Sequence, residues 1–455
     1  MNMSEDDAAA SPHSGPGAPG FRETLMFWLR IGCISFGGPA AQIALLHQEL
    51  VERRRWISEK RFLHALNYCM LLPGPEAQQL ATYIGWLLHR TRGGIAAGAL
   101  FVLPSLVVLI ALSWLYIAFG DVPVVAGLFY GIKPAVTAIV LHAAYRIGSR
   151  ILRNGWLWGI AIASFAAVFA FSAPFPAVVA VAALIGYIGG RVAPASFTPT
   201  GGGHATASAA AGPALIDDDT PVPEHARFRW RGLAQVLAWG MLLWIVPIGA
   251  LALSLGWDHG FTQMGWFFTK AALLTFGGAY AVLPYVYQGA VETYGWLTPT
   301  QMIDGLALGE TTPGPLIMVV AFVGFVGGYA NQFMGPEAPF LAGALAACLV
   351  TWFTFLPSFV FILAGGPFVE STRGNLRFTA PLTAITAAVV GVIVNLAMFF
   401  GYHVLWPKGF PGGMDVVAAL MLAGAALALF RFKLGVIPVI AISAVTGLLL
   451  KTILG

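Results

Sequence analysis

Charge is what this sequence has least of. Lys, Arg, Asp and Glu make up 10% of its 455 residues, against about 25% in an ordinary soluble chain, so a water-soluble fold is excluded. Cysteine is scarce as well. Cys33, Cys69 and Cys348 form no Cys-x-x-Cys pair and all stand in apolar stretches, which excludes a disulfide framework and a zinc site. No Walker A run, Gly-x-Ser-x-Gly elbow or His-Glu-x-x-His motif occurs. Neither an enzyme nor a bound metal or cofactor is expected. The net charge of +4 comes from bases in short loops beside apolar runs, where they orient a membrane protein, so the partner is the lipid bilayer and not nucleic acid.

What is present is apolar: 58% of the residues are hydrophobic, and stretches such as 95–119 and 338–366 contain no acid or base. About 20 such residues suffice for a helix to cross hydrocarbon. The expected fold is an all-α polytopic membrane protein. With 54 Gly and 29 Pro, its helices should be broken, and membranes admit breaks only where freed backbone groups face protein or line a cavity. Residues 1–20, acidic and Ala/Gly/Pro-rich, lack a signal-peptide pattern and are read as a disordered cytoplasmic tail. Residues 194–230, with Gly201 to His204 and Asp217 to Asp219, read as a flexible cytoplasmic linker.

Sliding the chain along itself reveals two copies of one unit. Phe36-Gly37-Gly38 recurs as Phe276-Gly277-Gly278, Trp56 as Trp296, and Pro73-Gly74-Pro75 as Pro313-Gly314-Pro315, all at an offset of 240, with 13 identities in the 49 positions from Phe27 to Pro75. Further on, Leu103-Pro104-Ser105 matches Leu356-Pro357-Ser358 at an offset of 253. One insertion of 13 residues near Asn331 to Pro339 accounts for the change. The expected units are a first repeat over 21–193 and a second over 258–455, joined by the linker and an extra transmembrane helix at 231–257.

Basic loops give the orientation. Arg53 to Arg55, Lys60, Arg61, Arg90, Arg92, Arg146, Arg150 and Arg153 flank the first-half elements, whereas in the second half Arg373, Arg377, Arg431 and Lys433 fall in loops whose first-half equivalents carry no base. The second repeat is therefore expected to be inverted, with re-entrant, broken helices at the FGG and PGP motifs and a periplasmic C-terminus. Inverted repeats around a midplane site are a common transporter design.

Each break starts a half-helix whose free N–H groups and positive dipole end can hold an anion. The substrate-binding candidates are Gly37, Gly38, Pro39, Pro73, Gly74, Pro75, Gln78, Gly277, Gly278, Pro313, Gly314 and Pro315. Arg30 and Lys270 join them, because they occupy matched repeat positions inside apolar segments, where an unneeded charge costs at least ~2.5 kcal/mol. Lys133 is a further cation, open equally to a role as partner of an acid. Glu76 and Glu310, beside the two PGP motifs, are candidate proton carriers, with Glu76 serving equally well as a helix cap. His47, His142 and Asp304 fit relay or packing roles; Gln79, Thr82, Thr311 and Thr312 are neutral donors near the breaks.

With Phe36-Gly37-Gly38-Pro39, Trp56, Pro73-Gly74-Pro75-Glu76-Ala77-Gln78-Gln79, Leu103-Pro104-Ser105 and the second set from Phe276 to Pro315, the sequence resembles the chromate ion transporter family in its long two-domain form. The resemblance implies a bacterial inner-membrane protein that exports chromate, a tetrahedral oxyanion like sulfate, in response to the membrane potential or a proton gradient, and so gives chromate resistance. Uptake of sulfate or another oxyanion is the alternative transport reading, and a scaffold without substrate the non-transport one; a homodimer is the oligomer considered. The second half departs from the pattern at Ala279 and Leu316, where the first has Pro39 and Glu76.

Overall fold

The computed structural model describes residues 17–120, 122–197, 214–218, 220–221, 223–371 and 379–454. All named elements are helices, and seven of them are long and apolar enough to cross a membrane. The protein is an all-α polytopic membrane protein. Its first half contains α1 (Phe21–Ile34), α2 (Gly38–His47, prolonged by a π-helical stretch Gln48–Arg53), α3 (Glu59–Leu71), α4 (Glu76–Phe119), α5 (Pro123–Ile151), α6 (Gly155–Phe171), α7 (Phe175–Val192) and the single turn α8 (Pro194–Phe197). The crossing helix α9 (Trp230–Leu255) follows. The second half contains α10 (Gly260–Leu273), α11 (Ala279–Tyr287, again prolonged by a π-helical stretch, Gln288–Thr293), α12 (Pro299–Thr311), α13 (Val319–Ala330), α14 (Pro339–Ser371), α15 (Thr379–Leu405), α16 (Val416–Phe430) and α17 (Val436–Leu454).

The order of breaks, π-helical stretches and helices after the FGG motif is the same in both halves. Each FGG break places its glycines at positive φ (Gly37 90°, Gly38 75°, Gly277 79°, Gly278 95°), a region closed to most side chains. One difference is local: α4 folds back on itself at His89 and Arg90, whose backbone is non-helical, whereas α13 and α14 are separate helices joined by residues 331–338. The 13 extra residues inferred from the offsets fall in and around that eight-residue connection. In the first half the turn is tight because Gly85 lies against the Gly93 carbonyl, where a Cβ would come within 2.6 Å.

Helices of one half pack on the other. The second limb of α4 runs antiparallel to α14, since Gly94 meets Leu363, Gly98 meets Phe359 and Trp114 meets Phe340 at the other end. Gly131 on α5 brings its backbone onto the Ser443 carbonyl of α17, and Gly391 on α15 does the same with the Ala161 carbonyl of α6. Small residues at such crossings let membrane helices approach closely. The extra helix α9 is largely exposed, and hydrogen bonds from Trp244 to Thr269 (2.9 Å) and from Trp352 to the Leu243 carbonyl (3.2 Å) fasten it to α10 and α14.

The stretch read as a linker is docked where it is described. Leu215 and Ile216 donate backbone bonds to Arg55 and Trp56, and Ser58 returns one to Ile216. Arg61 donates to the carbonyls of Asp217 (3.2 Å) and Thr220 (2.6 Å), and Ala226 is fully buried. Composition hid this because the polar segment satisfies bases of the first half instead of water. Residues 1–16 of the expected tail, 198–213 and 219 of the linker, and the orienting bases Arg373 and Arg377 lie outside the described residues.

Candidate functional site

The four breaks meet in two cross-half pairs. The amide of Gly74, in the first PGP, donates to the carbonyl of Thr275, which precedes the second FGG; the amide of Gly314, in the second PGP, donates to the carbonyl of Ser35, which precedes the first FGG. Both bonds measure 2.8 Å. Each half thus completes the broken turn of the other. Only glycine fits at these two points, for two reasons. Their φ angles are 130° and 101°, and an added Cβ would lie 2.3 Å from Ser358 Oγ at Gly74 and 2.7 Å from Ser105 Cβ at Gly314. The repeated Leu-Pro-Ser motifs therefore seat a serine of one half on the PGP glycine of the other.

Polar groups gather around this crossing although it is buried. Ser35, Gln42, Gln78, Gln79, Thr82, Ser105, Thr275, Thr312 and Ser358 are all buried. Gln42 donates to the carbonyls of Ser35 (3.1 Å) and Gly314 (2.5 Å), tying the first FGG to the second PGP. Gln79 donates to the Pro73 carbonyl (2.8 Å), and Gln78 to Thr82 (3.1 Å). Three atoms there stay unpartnered: Gln78 Oε1, Gln79 Oε1 and Ser105 Oγ. A buried polar atom without a partner costs about 1–3 kcal/mol, so the crossing is arranged for a polar guest more than for packing. None of the helices that start at the breaks, α2, α4, α11 and the 3₁₀ turn Leu316–Met318 leading into α13, has a side-chain cap. Their first-turn N–H groups remain available to an anion.

The sequence candidates separate into groups. Gly37, Gly38, Pro39, Pro73, Gly74, Pro75, Gln78, Gly277, Gly278, Pro313, Gly314 and Pro315 belong to the breaks or their first turn. Glu310 is 5% exposed and accepts the hydroxyl of Tyr280, which stands one residue into α11. Glu76 is half-buried in the first turn of α4. Arg30 lies exposed on α1, and Lys270 lies half-buried with its ammonium 5.7 Å from the Trp266 ring. Among the described residues neither cation makes a hydrogen bond or ion pair with a break residue. Thr311 and Thr312 bond to carbonyls of their own helix. His47 bridges Glu52 and Glu59, and His142 packs edge-on against Phe430.

Lys133 has the acid partner foreseen for it, Asp304, at 3.5 Å. A second cross-half pair went unforeseen: Arg61 on α3 bonds Glu370 on α14 at 2.9 Å, and Tyr83 donates to the same carboxylate at 2.6 Å. Gln42 and Tyr280 were also missed, since each stands opposite an unlike residue in the other copy (Val282 and Ala40). The serines of the repeated Leu-Pro-Ser motif carried a signal, namely their recurrence.

The chromate transporter family matches the chain over residues 22–187 and 262–448. A chromate transport protein of Pseudomonas aeruginosa is 34% identical over 447 residues, covering 96% of this chain and 94% of that relative. One from Cupriavidus metallidurans is 28% identical over 427 residues, covering 94% and 92%. The uncharacterized transporter YwrB of Bacillus subtilis is 30% identical over 141 residues, which are 31% of this chain but 72% of that shorter protein. No solved structure matches.

Proposed function

The chain belongs to the chromate transporter family, and from that membership we propose that it exports chromate across the bacterial inner membrane and so confers chromate resistance. The observation that carries the reading is the reciprocal closure of the breaks through Gly74 and Gly314. It brings four uncapped helix starts from two copies, read here as inverted repeats over 21–193 and 258–455, together in two pairs beside buried polar side chains. A tetrahedral dianion there accepts N–H bonds from the breaks at Gly37, Gly38, Gly277 and Gly278 and from the first helical turns that follow the PGP motifs, with Ser105 Oγ and the second N–H of Gln78 Nε2 as side-chain donors. Arg30 and Lys270, which make no direct contact with the breaks, contribute positive field at longer range. Glu76 and Glu310 carry protons if a proton gradient takes part.

The membrane potential alone is sufficient to drive export. With the interior negative, a dianion leaving the cell gains about 4.6 kcal/mol per 100 mV, equivalent to a gradient on the order of a thousandfold. The bases of residues 53–61, onto which the linker docks, and of the α4 turn are read as marking the cytoplasmic end.

Inside-out vesicles test the reading. Chromate should accumulate in them when an interior-positive potential is imposed, and accumulation should fall severalfold in an Arg30→Gln/Lys270→Gln variant. Unchanged chromate levels in vesicles with and without the protein would reject export, and uptake of sulfate with chromate excluded would replace it with a sulfate carrier.

A further inference from the structure

A second polar cavity lies away from the crossing. It has a volume of about 410 Å³ and is lined by Tyr116, Tyr130, Lys133, Gln301, Asp304 and Lys451, from α4, α5, α12 and α17. Asp304 precedes the PGP turn by eight residues of helix, roughly 12 Å. Because α4 and α14 run antiparallel, this cavity sits at the end of the molecule opposite the Arg61–Glu370 pair.

Its geometry leaves a lysine poised between two partners. Tyr116 donates to Asp304 Oδ2 at 2.9 Å, while the Lys133 ammonium stands 3.5 Å from the same oxygen, a longer contact than an ideal charge-assisted hydrogen bond. The Lys133 side chain is 27% exposed and that of Asp304 only 2%. Asp304 Oδ1 is buried without a partner. Lys451 is a second basic residue of the lining. The other nearby acid, Asp415, is engaged elsewhere: it takes the Tyr130 hydroxyl on both oxygens at 2.9 Å and caps α16 through the Ala418 amide. Among the described residues the lining thus offers two lysines against one carboxylate. Its volume equals that of about a dozen liquid waters, enough for a five-atom oxyanion that keeps part of its hydration.

We propose that this cavity is a second oxyanion site, through which the dianion passes after the crossing, with Lys133 and Lys451 as its ligands and Asp304 as the internal competitor for Lys133. An anion entering from the crossing draws Lys133 off Asp304; the carboxylate recaptures the lysine when the anion leaves. The crossing binds through backbone amides, whereas this site binds through ammonium groups and resets itself. The proposal rests on the reading of the chain as a chromate carrier.

Competition gives the two partners opposite signs, which a purely structural ion pair does not. In equilibrium dialysis of radiolabelled chromate against the full-length protein in nanodiscs, Lys133→Gln should raise the half-saturating concentration about tenfold, the loss of one charge-assisted hydrogen bond. Asp304→Asn should lower it severalfold, and Lys451→Gln, at an exposed position, should raise it about threefold with the melting temperature unchanged. Equal weakening by Lys133→Gln and Asp304→Asn, or an unshifted isotherm in a Lys451→Gln protein that melts like the parent, would overturn the site. Sulfate run in parallel separates the two readings. A wild type that moves no chromate but shows these shifts with sulfate keeps the cavity and drops chromate, whereas chromate movement without the shifts drops the cavity alone.

Discussion

The two halves carry the same motifs in different surroundings. All nine residues of α11 are buried, whereas only Gln42 and Leu46 are buried in the equivalent α2. Tyr287 of α11 packs on Phe399 and Phe400 of α15, with ring centroids 4.5 and 6.2 Å apart. Among the described residues the outer face of α2 is less covered, and Phe36 and Met70 are 38% and 52% exposed. At the position of Met70 the second half has Glu310, buried and bonded to Tyr280. The two halves thus share what the backbone turns require and differ in the side chains around them. Beside its PGP motif the second half has Glu310 where the first has Met70, and the first has Glu76 where the second has Leu316.

The ends of α3 and α12 should show the largest contrast. Arg61→Ala leaves Glu370, 3% exposed, without its cation, a loss of about 3–5 kcal/mol for a broken buried pair. Thermal melting in detergent should register it clearly, whereas Lys133→Ala, whose side chain is 27% exposed, should register much less. Comparable melting shifts would erase the contrast. Next come the glycines. Gly74→Ala and Gly314→Ala each force an L-residue into a positive φ, at roughly 1–2 kcal/mol, and each drives a Cβ into the opposite serine. Both should cut vesicle transport at least about tenfold, to a similar degree, and a variant that spares one half would show that the halves are not mutually closed.

Smaller effects sharpen the difference at the breaks. Glu310→Gln should slow transport under a proton gradient while sparing transport under potential alone, and Met70→Gln should change neither; equal sensitivity at both positions would remove the functional meaning of the asymmetry. The smallest effect concerns the docked segment. His225 bonds the Trp86 carbonyl at 3.0 Å, and burial, with help from Arg90 against the carbonyl's opposing pull, holds its pKa below 6.5. The neutral form is favoured when docked, so docking is fully supported above pH 6.5 and weakens as the pH falls through the lowered pKa. Protease sensitivity near 214–227 should rise on that acid side and stay flat in His225→Gln.

The backbone of the site was legible in the sequence because its requirements are local. Positive φ demands glycine, a helix start tolerates proline, and both recur with the copy, so the positions of all four breaks and of the inserted connection could be read from spacing. The side-chain partners could not. Arg61 and Glu370 are 309 residues apart and Lys133 and Asp304 are 171 apart; nothing in the neighbourhood of either member specifies the other. Docking of 214–226 was masked for a related reason, since a polar, Asp-containing stretch looks solvated until bases are found waiting for its carbonyls. The prominence of Arg30 and Lys270 came from their matched positions, which record common ancestry without recording which way a side chain points.

The mutual closure through Gly74 and Gly314 also sets an order of events during synthesis. The Gly74 amide emerges 201 residues ahead of the Thr275 carbonyl that accepts it, and an amide held in hydrocarbon without an acceptor is costly. The PGP turn of the first half is therefore expected to stay near water until the later copy supplies its acceptor.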